Sequence, residues 1–177
     1  MVHLNICKPT TKNIEELHRL LITTITDTFK KNGIGDDVGL LNNEIEEKKQ
    51  FVYTTLASVH KETFLLTAIH QKKIVGVIGY GPSSELINKC THDAYSYLGE
   101  IGTVFVLPEY QGKGVGSQLL GAMFAVLKER DVHEFYLDSG YPSAQKIWIK
   151  KFGNADYIVK DHWGEGLDHM IWRRSID

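Results

Sequence analysis

Side chains along the first third of the chain alternate between apolar and polar with the spacing of a helix. One face collects residues three and four apart, at Leu17, Leu20, Leu21, Thr24, Ile25 and Phe29. This spacing predicts an amphipathic helix. Glycine and aspartate over residues 32–37 end it, and a second helix with a polar centre is predicted from residue 40 to about residue 59. A short strand is predicted before both helices, over residues 3–8.

Short apolar runs follow in the middle of the chain. Residues 64–69 and 74–80 flank a Gln-Lys-Lys turn, which predicts a β-hairpin. Residues 97–106 predict a further strand. The segment 85–96 before that strand is polar and irregular, and it predicts a surface loop.

Helices and strands alternate in the last part of the chain. The pattern predicts helices over 115–130 and 143–152, and strands over 135–137, 157–159 and 170–173. Strands joined through a helix form parallel pairs, whereas the hairpin is antiparallel. The expected fold class is therefore α/β, with a mixed, mostly antiparallel central sheet and helices on both faces. A single domain over residues 1–177 is expected from this length.

A glycine-rich turn separates the strand at 97–106 from the helix that begins at Val115. With the first residues of that helix it forms one segment, which consists of Gln111, Gly112, Lys113, Gly114, Val115, Gly116 and Ser117. The first N–H groups of a helix have no intrahelical partner, and the helix dipole favours negative charge there. The turn therefore predicts an anion site. The alternative is a tight structural turn that binds no ligand.

Two common phosphate motifs do not fit this turn. Leu107 stands where the G-x-x-x-x-G-K-[ST] motif needs glycine, and Ser117 stands where G-x-G-x-x-G needs glycine. The pattern present is Gln111-x-x-Gly114-x-Gly116 after an apolar strand and a proline. It resembles the pyrophosphate-binding motif of the GCN5-related N-acetyltransferase (GNAT) family, and the order of predicted elements matches that family along essentially the whole chain.

The resemblance implies acetyl-CoA as co-substrate and a parallel pair of strands splayed apart by a β-bulge. The pantetheine arm is expected on the backbone of Val104, Phe105 and Val106. The pyrophosphate is expected on the turn, at Gln111, Gly112, Lys113, Gly114, Val115, Gly116 and Ser117. For Gln111 the alternative is a side chain that caps the loop, and for Lys113 a solvated lysine. Ser143 and Trp148 complete the expected cofactor-binding set.

Amine acetylation needs a base, because an alkylamine with a pKa near ~10 arrives protonated. The resemblance places such a base on the strand before the motif, where Glu100 is the carboxylate present. The alternative for Glu100 is an exposed carboxylate at a strand end.

The expected proton donor to the departing thiolate is missing from its usual place. The family pattern has a tyrosine where this chain has Trp148, and an indole cannot sensibly protonate a thiolate. Tyr141 is the catalytic candidate in its stead, with Tyr157 also nearby in sequence; the alternatives are that the thiolate leaves unassisted and that Trp148 is a core aromatic residue. The family often has an asparagine near residues 139–142, which this chain lacks.

Composition limits the possible partners. The net charge of −2 leaves no nucleic-acid footprint, and no apolar run approaches the ~20 residues of a membrane span. The two cysteines, far apart in sequence, suit a reduced cytoplasmic protein. The eight histidines contain no H-E-x-x-H motif, and no metal is expected.

The acceptor is expected to be a primary amine of a small molecule or peptide, acetylated by direct transfer in a ternary complex. Acidic residues lie in the region that would build its pocket, at Asp27, Asp36, Asp37, Glu44, Glu46 and Glu47, but lysines are interleaved with them. The loop between His162 and His169 either lines this pocket or is an ordinary surface loop. The rivals are an acyl-CoA-binding regulatory module with little turnover and a binder of another phosphate ligand. A homodimer is possible.

Overall fold

Seven strands form one sheet in the computed structural model, which describes residues 3–59 and 61–176. They are β1 (Asn5–Cys7), β2 (Phe64–His70), β3 (Lys73–Pro82), β4 (Gly99–Val106), β5 (Glu134–Ser139), β6 (Tyr157–Val159) and β7 (His169–Ser175). Their order in the sheet is β1-β2-β3-β4-β5-β7-β6. All neighbours are antiparallel except β4 and β5. The predicted mixed α/β class is therefore confirmed.

Five α-helices cover this sheet in the described part of the chain. They are α1 (Ile14–Lys31), α2 (Val38–Ala57), α3 (Glu85–Cys90), α4 (Val115–Glu129) and α5 (Pro142–Phe152). Gly76 and Gly79 face opposite sides of β3; the space beside Gly76 is bounded by Leu119 of α4, and that beside Gly79 by Phe51 of α2. Helices therefore pack on both faces, as expected.

The segment predicted as a surface loop over residues 85–96 contains the short helix α3, so that prediction is wrong in part. The Ser84 hydroxyl caps the helix by accepting a hydrogen bond from the N–H of Ile87 at 3.2 Å. Ile87 is fully buried against Leu98, Tyr136 and Ile171. A six-residue helix is too short to show hydrophobic periodicity, which is why the sequence pattern missed it.

The two parallel strands separate soon after they meet. Cα pairs join β4 and β5 only at Gly99–Phe135 and Glu100–Tyr136 within the described residues. Further along, two residue steps of β3 face three steps of β4, because β4 carries a β-bulge between Gly102 and Phe105. Thr103 lies in this bulge with a left-handed φ of 52°. The bulge turns the end of β4 away from β5 and opens the sheet.

Candidate active site

A cavity of about 740 Å³ lies where the sheet opens. Its walls are the C-terminal half of α1, the end of β4, the glycine-rich turn with the start of α4, and α5. Most of the residues expected to bind the cofactor line it: Val104, Phe105, Val106, Gln111, Gly112, Gly114, Val115, Gly116, Ser117, Ser143 and Trp148. Lys113 does not, because its ammonium group lies over the ring of Tyr110, 5.6 Å from the centroid.

The glycine-rich turn presents free backbone N–H groups. Gly112 and Gly114 have left-handed φ values of 70° and 84°, which glycine adopts without strain. The first hydrogen bond of α4 runs from the N–H of Gln118 to the carbonyl of Gly114, so the N–H groups just before Gln118 have no helical partner. A Cβ added at Gly116 meets no protein atom within 4 Å. The space beside this turn is left to a ligand.

Gln111 holds the turn in place through its side chain. Its amide nitrogen donates to the carbonyl of Val106 at 2.9 Å, and its amide oxygen accepts from Lys31 Nζ at 2.8 Å. Lys31 also pairs with Asp27 of the same helix. The Gln111 side chain therefore ties the turn to β4 and α1, which fits the capping alternative considered from the sequence.

Cationic side chains surround the same cavity. Lys31, Lys150 and Lys151 line it, and Lys151 Nζ donates to the hydroxyl of Ser117 at 3.1 Å. Positive charge beside free backbone N–H groups suits a polyanionic ligand such as the pyrophosphate of coenzyme A. Sequence analysis missed these lysines, because neighbouring lysines on an exposed helix carry no signal of a site.

Two residues of α5 bound the cavity on its other side. Ser143 is fixed by Asn32, which donates to its hydroxyl at 2.8 Å and accepts from its N–H at 3.1 Å. Trp148 is 9% exposed and stacks on Phe152, with ring centroids 5.9 Å apart. The indole at the usual tyrosine position is thus both core packing and cavity wall.

Glu100 lies at the base of the opening. It does not line the cavity, whose wall begins further along β4 at Val104. Its Oε2 accepts a hydrogen bond from the N–H of Ser84 at 2.9 Å. Burial, reinforced by the charge of Asp138, raises the pKa of Glu100 to about 7, although the Ser84 hydrogen bond and Lys48 oppose this. Glu100 is therefore not the exposed strand-end carboxylate of the alternative.

Further carboxylates lie on the Glu100 side of the sheet. Burial raises the pKa of Glu44 on α2, and the charges of Glu47 and Asp138 add to that effect, while Lys48 lowers it. Lys48 Nζ lies 3.9 Å from Glu44 Oε1 and 3.7 Å from Glu47 Oε1. This side of the sheet is acidic, with one lysine held among the acids.

Tyr141 lies at the N-cap of α5 and outside the residues that line the cavity. Its ring packs against Phe29, with centroids 5.9 Å apart. Burial raises the pKa of the Tyr141 phenol, and the charges of Glu44 and Glu47 add to this, so the phenol stays protonated. Of the described tyrosines, Tyr110 alone lines the cavity.

Metal and membrane signals are absent from the part of the chain that the structure describes. No three histidine, cysteine or acidic side chains there are grouped to hold a metal ion. None of the described helices is long and apolar enough to cross a membrane.

Solved structures with the same fold are acetyltransferases. PaiA N-acetyltransferase from Thermoplasma acidophilum, solved in complex with coenzyme A, is 17% identical over 98% of this chain and 99% of its own, with a TM-score of 0.73. For the ribosomal-protein-alanine N-acetyltransferase from Brucella melitensis the identity is 18%, the coverage 97% and 99%, and the TM-score 0.68. A GNAT-family acetyltransferase from Staphylococcus aureus Mu50 is 18% identical over 99% of this chain and 100% of its own, with a TM-score of 0.62.

These identities are low enough that the structural likeness concerns the fold. No curated protein matches the sequence significantly. The sequence model of the Acetyltransferase (GNAT) family matches residues 22–153, which is more than half of the chain. Acetyl-CoA, expected from the resemblance of the glycine-rich turn to the GNAT motif, is the co-substrate of that family. The chain belongs to the GNAT family and is an acyl-CoA-dependent acetyltransferase in the general sense of that family.

Proposed function

We propose that this protein is an acetyl-CoA-dependent N-acetyltransferase that acts on a primary amine of a small molecule or peptide by direct transfer in a ternary complex. One observation carries the proposal. The opened β4–β5 pair has a cavity with free helix N–H groups along one part, and a partly buried carboxyl of raised pKa, Glu100, lies on β4 ahead of Val104, where the cavity wall begins. A co-substrate site and a proton acceptor thus lie on one strand.

The chain's own groups suffice to hold the co-substrate. Backbone N–H groups from Gly112 to Ser117 and the ammonium group of Lys151 would hold the pyrophosphate. The unpaired edge of β4 from Val104 to Val106 would hold the pantetheine arm. Acetyl-CoA supplies the activated acetyl thioester when bound.

Glu100 would take the proton that the amine must lose. A carboxylate whose pKa is about 7 is a much better proton acceptor than that of an ordinary glutamate. At a pH equal to this pKa, half of the protein molecules carry an ionised Glu100. The acceptor would approach from the acidic side of the sheet, where Glu44, Glu47 and Asp138 favour a cationic amine over a neutral alcohol.

Direct transfer is supported by where the cysteines lie. Neither Cys7 nor Cys90 lines the cavity, so neither is placed to carry the acetyl group. Both are free, which also supports a cytoplasmic location.

Tyr141 is our proposed proton donor for the departing thiolate. The support is its place, because α5, which begins beside it, contributes Ser143 to the cavity wall, although the raised pKa makes this phenol a weaker acid than an ordinary tyrosine. Trp148 stands at the position where the family pattern has a tyrosine, and this observation favours the second candidate, an acyl-CoA-binding regulatory module with little turnover.

An acetyl-transfer assay separates the two candidates. Release of free thiol from acetyl-CoA is measured with a panel of diamines, aminoglycosides, amino metabolites and peptides with a free N-terminus. We expect turnover with at least one amine, and its loss in Gly116→Glu, which places a carboxylate in the open space of the cavity. Gly121→Glu is the matched control, since Gly121 lies on the same helix, also borders open space, and does not line the cavity.

Each outcome decides between specific possibilities. Binding of acetyl-CoA without turnover for any amine would favour the regulatory module. Equal loss of turnover in both glycine variants would show that the added charge acts on the fold rather than on the cavity. Competition by ATP as strong as that by coenzyme A would favour a nucleotide site.

A further inference from the structure

A hydrogen-bonded chain of three side chains lies next to Glu100, and the proposed transfer assigns no role to two of them, Trp163 and His169. The indole Nε1–H of Trp163 donates to Nδ1 of His169 at 3.1 Å, and Nε2 of His169 lies 2.9 Å from Oδ2 of Asp138. An indole nitrogen only donates, so Nδ1 must accept. The single proton of the neutral ring is therefore on Nε2, which donates it to Asp138. His169, the central member, is 3% exposed, whereas Trp163 lies at the surface and is 52% exposed.

The loop that carries Trp163 is fixed in place. Asp161 and Asp168 brace it, because the N–H of Asp161 donates to Asp168 Oδ1 at 3.0 Å and the N–H of Gly166 donates to Asp161 Oδ1 at 2.6 Å. A Cβ added at Gly140 would collide with the indole of Trp163. The absence of a side chain at Gly140 therefore allows the indole of Trp163 to lie within hydrogen-bond distance of His169.

Strand register brings Asp138 beside Glu100. Glu100 pairs with Tyr136 across the parallel strands, and Asp138 lies two residues further on, on the same side of β5. The Glu100 carboxyl extends in that same direction, because its Oε1 lies 3.3 Å from the position of a Cβ built at Gly102. The two carboxyls thus lie at the same level of the opened strand pair.

We propose that Trp163, His169 and Asp138 are positioning residues that hold a fixed negative charge beside Glu100 and so, together with the burial of Glu100, set the pH range in which this base works. The proposal rests on the proposed function only in naming Glu100 as the base. The fixed charge disfavours ionisation of Glu100, since two carboxylates at close range repel each other. The hydrogen bond from His169 holds the Asp138 carboxyl in place beside Glu100.

Other titratable groups face the same pair of carboxyls. They are Lys48 and Glu44 on α2, Cys90 on α3 and His169 on β7. Lys48 lowers the pKa of Glu100, whereas Asp138 raises it, and Glu44 adds to the negative charge around Asp138. The effect of Asp138 is therefore measured with Lys48 and Glu44 in place.

The test is an NMR titration of the whole protein labelled with ¹³C at the glutamate carboxyls. The Glu100 signal is assigned by its loss in Glu100→Gln. We expect a titration midpoint near the value of about 7 in the wild type. Asp138→Asn, which removes the charge and keeps the shape, should lower this midpoint, while burial, the larger cause of the shift, should keep it above the ordinary glutamate value.

The histidine and tryptophan variants test the rest of the chain. His169→Leu removes the donor to Asp138 and should lower the Glu100 midpoint, whereas His169→Gln offers an N–H in a similar place and should restore part of it. Trp163→Phe keeps an aromatic ring but removes the indole N–H, so the ¹⁵N signals of His169 should lose the single Nε2–H form. His162→Gln is the matched control, because His162 contacts the Trp163 ring but lies outside the hydrogen-bonded chain.

Unchanged Glu100 midpoints in folded Asp138→Asn and His169→Leu would overturn the inference. If Asp138→Asn fails to fold, two other results decide whether the inference holds. They are the difference in Glu100 midpoint between His169→Leu and His169→Gln, and the ¹⁵N signals of His169 in Trp163→Phe. The proposed function fails separately. A wild-type kcat in Glu100→Gln would show that Glu100 is not the base. The Glu100 midpoints of the wild type and of the Asp138 and His169 variants would still show whether Asp138 acts on Glu100.

Discussion

Glu100 is a partly buried carboxyl whose raised pKa matches the task of a base near neutral pH. Its pKa of about 7 lies above the ordinary glutamate value of 4.5, so below pH 7 most molecules carry a protonated Glu100. Activity should therefore rise as the pH increases through about 7. A glutamate base with an ordinary pKa would already be ionised near pH 7, so its titration would cause no rise in activity there.

Glu100→Gln tests this assignment, because glutamine keeps an oxygen for the Ser84 N–H and cannot take a proton. We expect kcat to fall by roughly 100- to 10,000-fold and the rise near pH 7 to disappear, with acetyl-CoA binding unchanged. Tyr141→Phe should lower kcat while keeping that rise, since the phenol acts on the thiolate. The measurement is kcat from pH 5.5 to 9 with saturating acceptor.

Glu129→Gln is the control for the loss of a carboxylate, since Glu129 is exposed at the end of α4. Its pH profile should match that of the wild type. A Glu100→Gln enzyme that keeps the rise near pH 7 would contradict the role of Glu100. Unchanged kcat in Tyr141→Phe would mean that the thiolate leaves without help from this phenol.

The bulge in β4 is the element that turns an ordinary sheet into one with a cavity. Thr103 has a φ of 52°, which is costly for a β-branched residue. The surrounding strand pairing imposes this conformation, because β3 is paired with β4 on both sides of the bulge and the register shifts by one residue across it. Backbone strain is thus located where the sheet opens.

Thr103→Gly should therefore stabilise the fold, because glycine adopts a positive φ without steric cost. We expect the free energy of unfolding to rise by about 0.5–1 kcal/mol, after the greater flexibility of glycine in the unfolded chain is taken into account. Chemical denaturation measures the change.

Thr103→Ala is the matched control for the bulge. It removes the hydroxyl and methyl groups but keeps a Cβ, so it should show no comparable gain. Equal stability of the glycine and alanine variants would mean that the positive φ of residue 103 stores no strain.

Local signals explain which elements the sequence could predict. The turn from Gln111 to Ser117 is contiguous, and its glycine spacing indicates both the start of α4 and the anion site. The spacing of Leu17 to Phe29 likewise indicates the buried face of α1, and all of its predicted positions are buried. Such patterns are set by neighbours in the chain, and they need no knowledge of the tertiary structure.

Contacts between distant segments were beyond the reach of these patterns. Asp138 meets His169 only because β5 pairs with β7, and Trp163 reaches His169 only because Gly140 leaves room. The Asn32–Ser143 pair likewise joins two residues that are far apart in the sequence, one at the end of α1 and one on α5. The raised pKa of Glu100 depends on burial and on Asp138, so it too follows from the tertiary structure.

The sheet as a whole consists of two groups of strands with few direct links. β1 to β4 form one group and β5 to β7 the other, and they are joined by the short parallel pairing at Gly99 and Glu100. The cavity lies across this junction, with α1 and β4 on one side and α5 on the other. A ligand that fills the cavity would contact both groups and hold them together.

Coenzyme A should therefore stabilise the whole molecule and not only the turn that binds its pyrophosphate. At one hundred times its Kd, we expect about 2.7 kcal/mol of added stability and a thermal midpoint higher by about 5–10 °C. Hydrogen exchange should slow in both α1 and α5, whereas a ligand held by the turn alone would protect mainly the start of α4. Gly116→Glu should show neither change and Gly121→Glu should show both, so slower exchange at α4 alone would contradict a ligand that spans the junction.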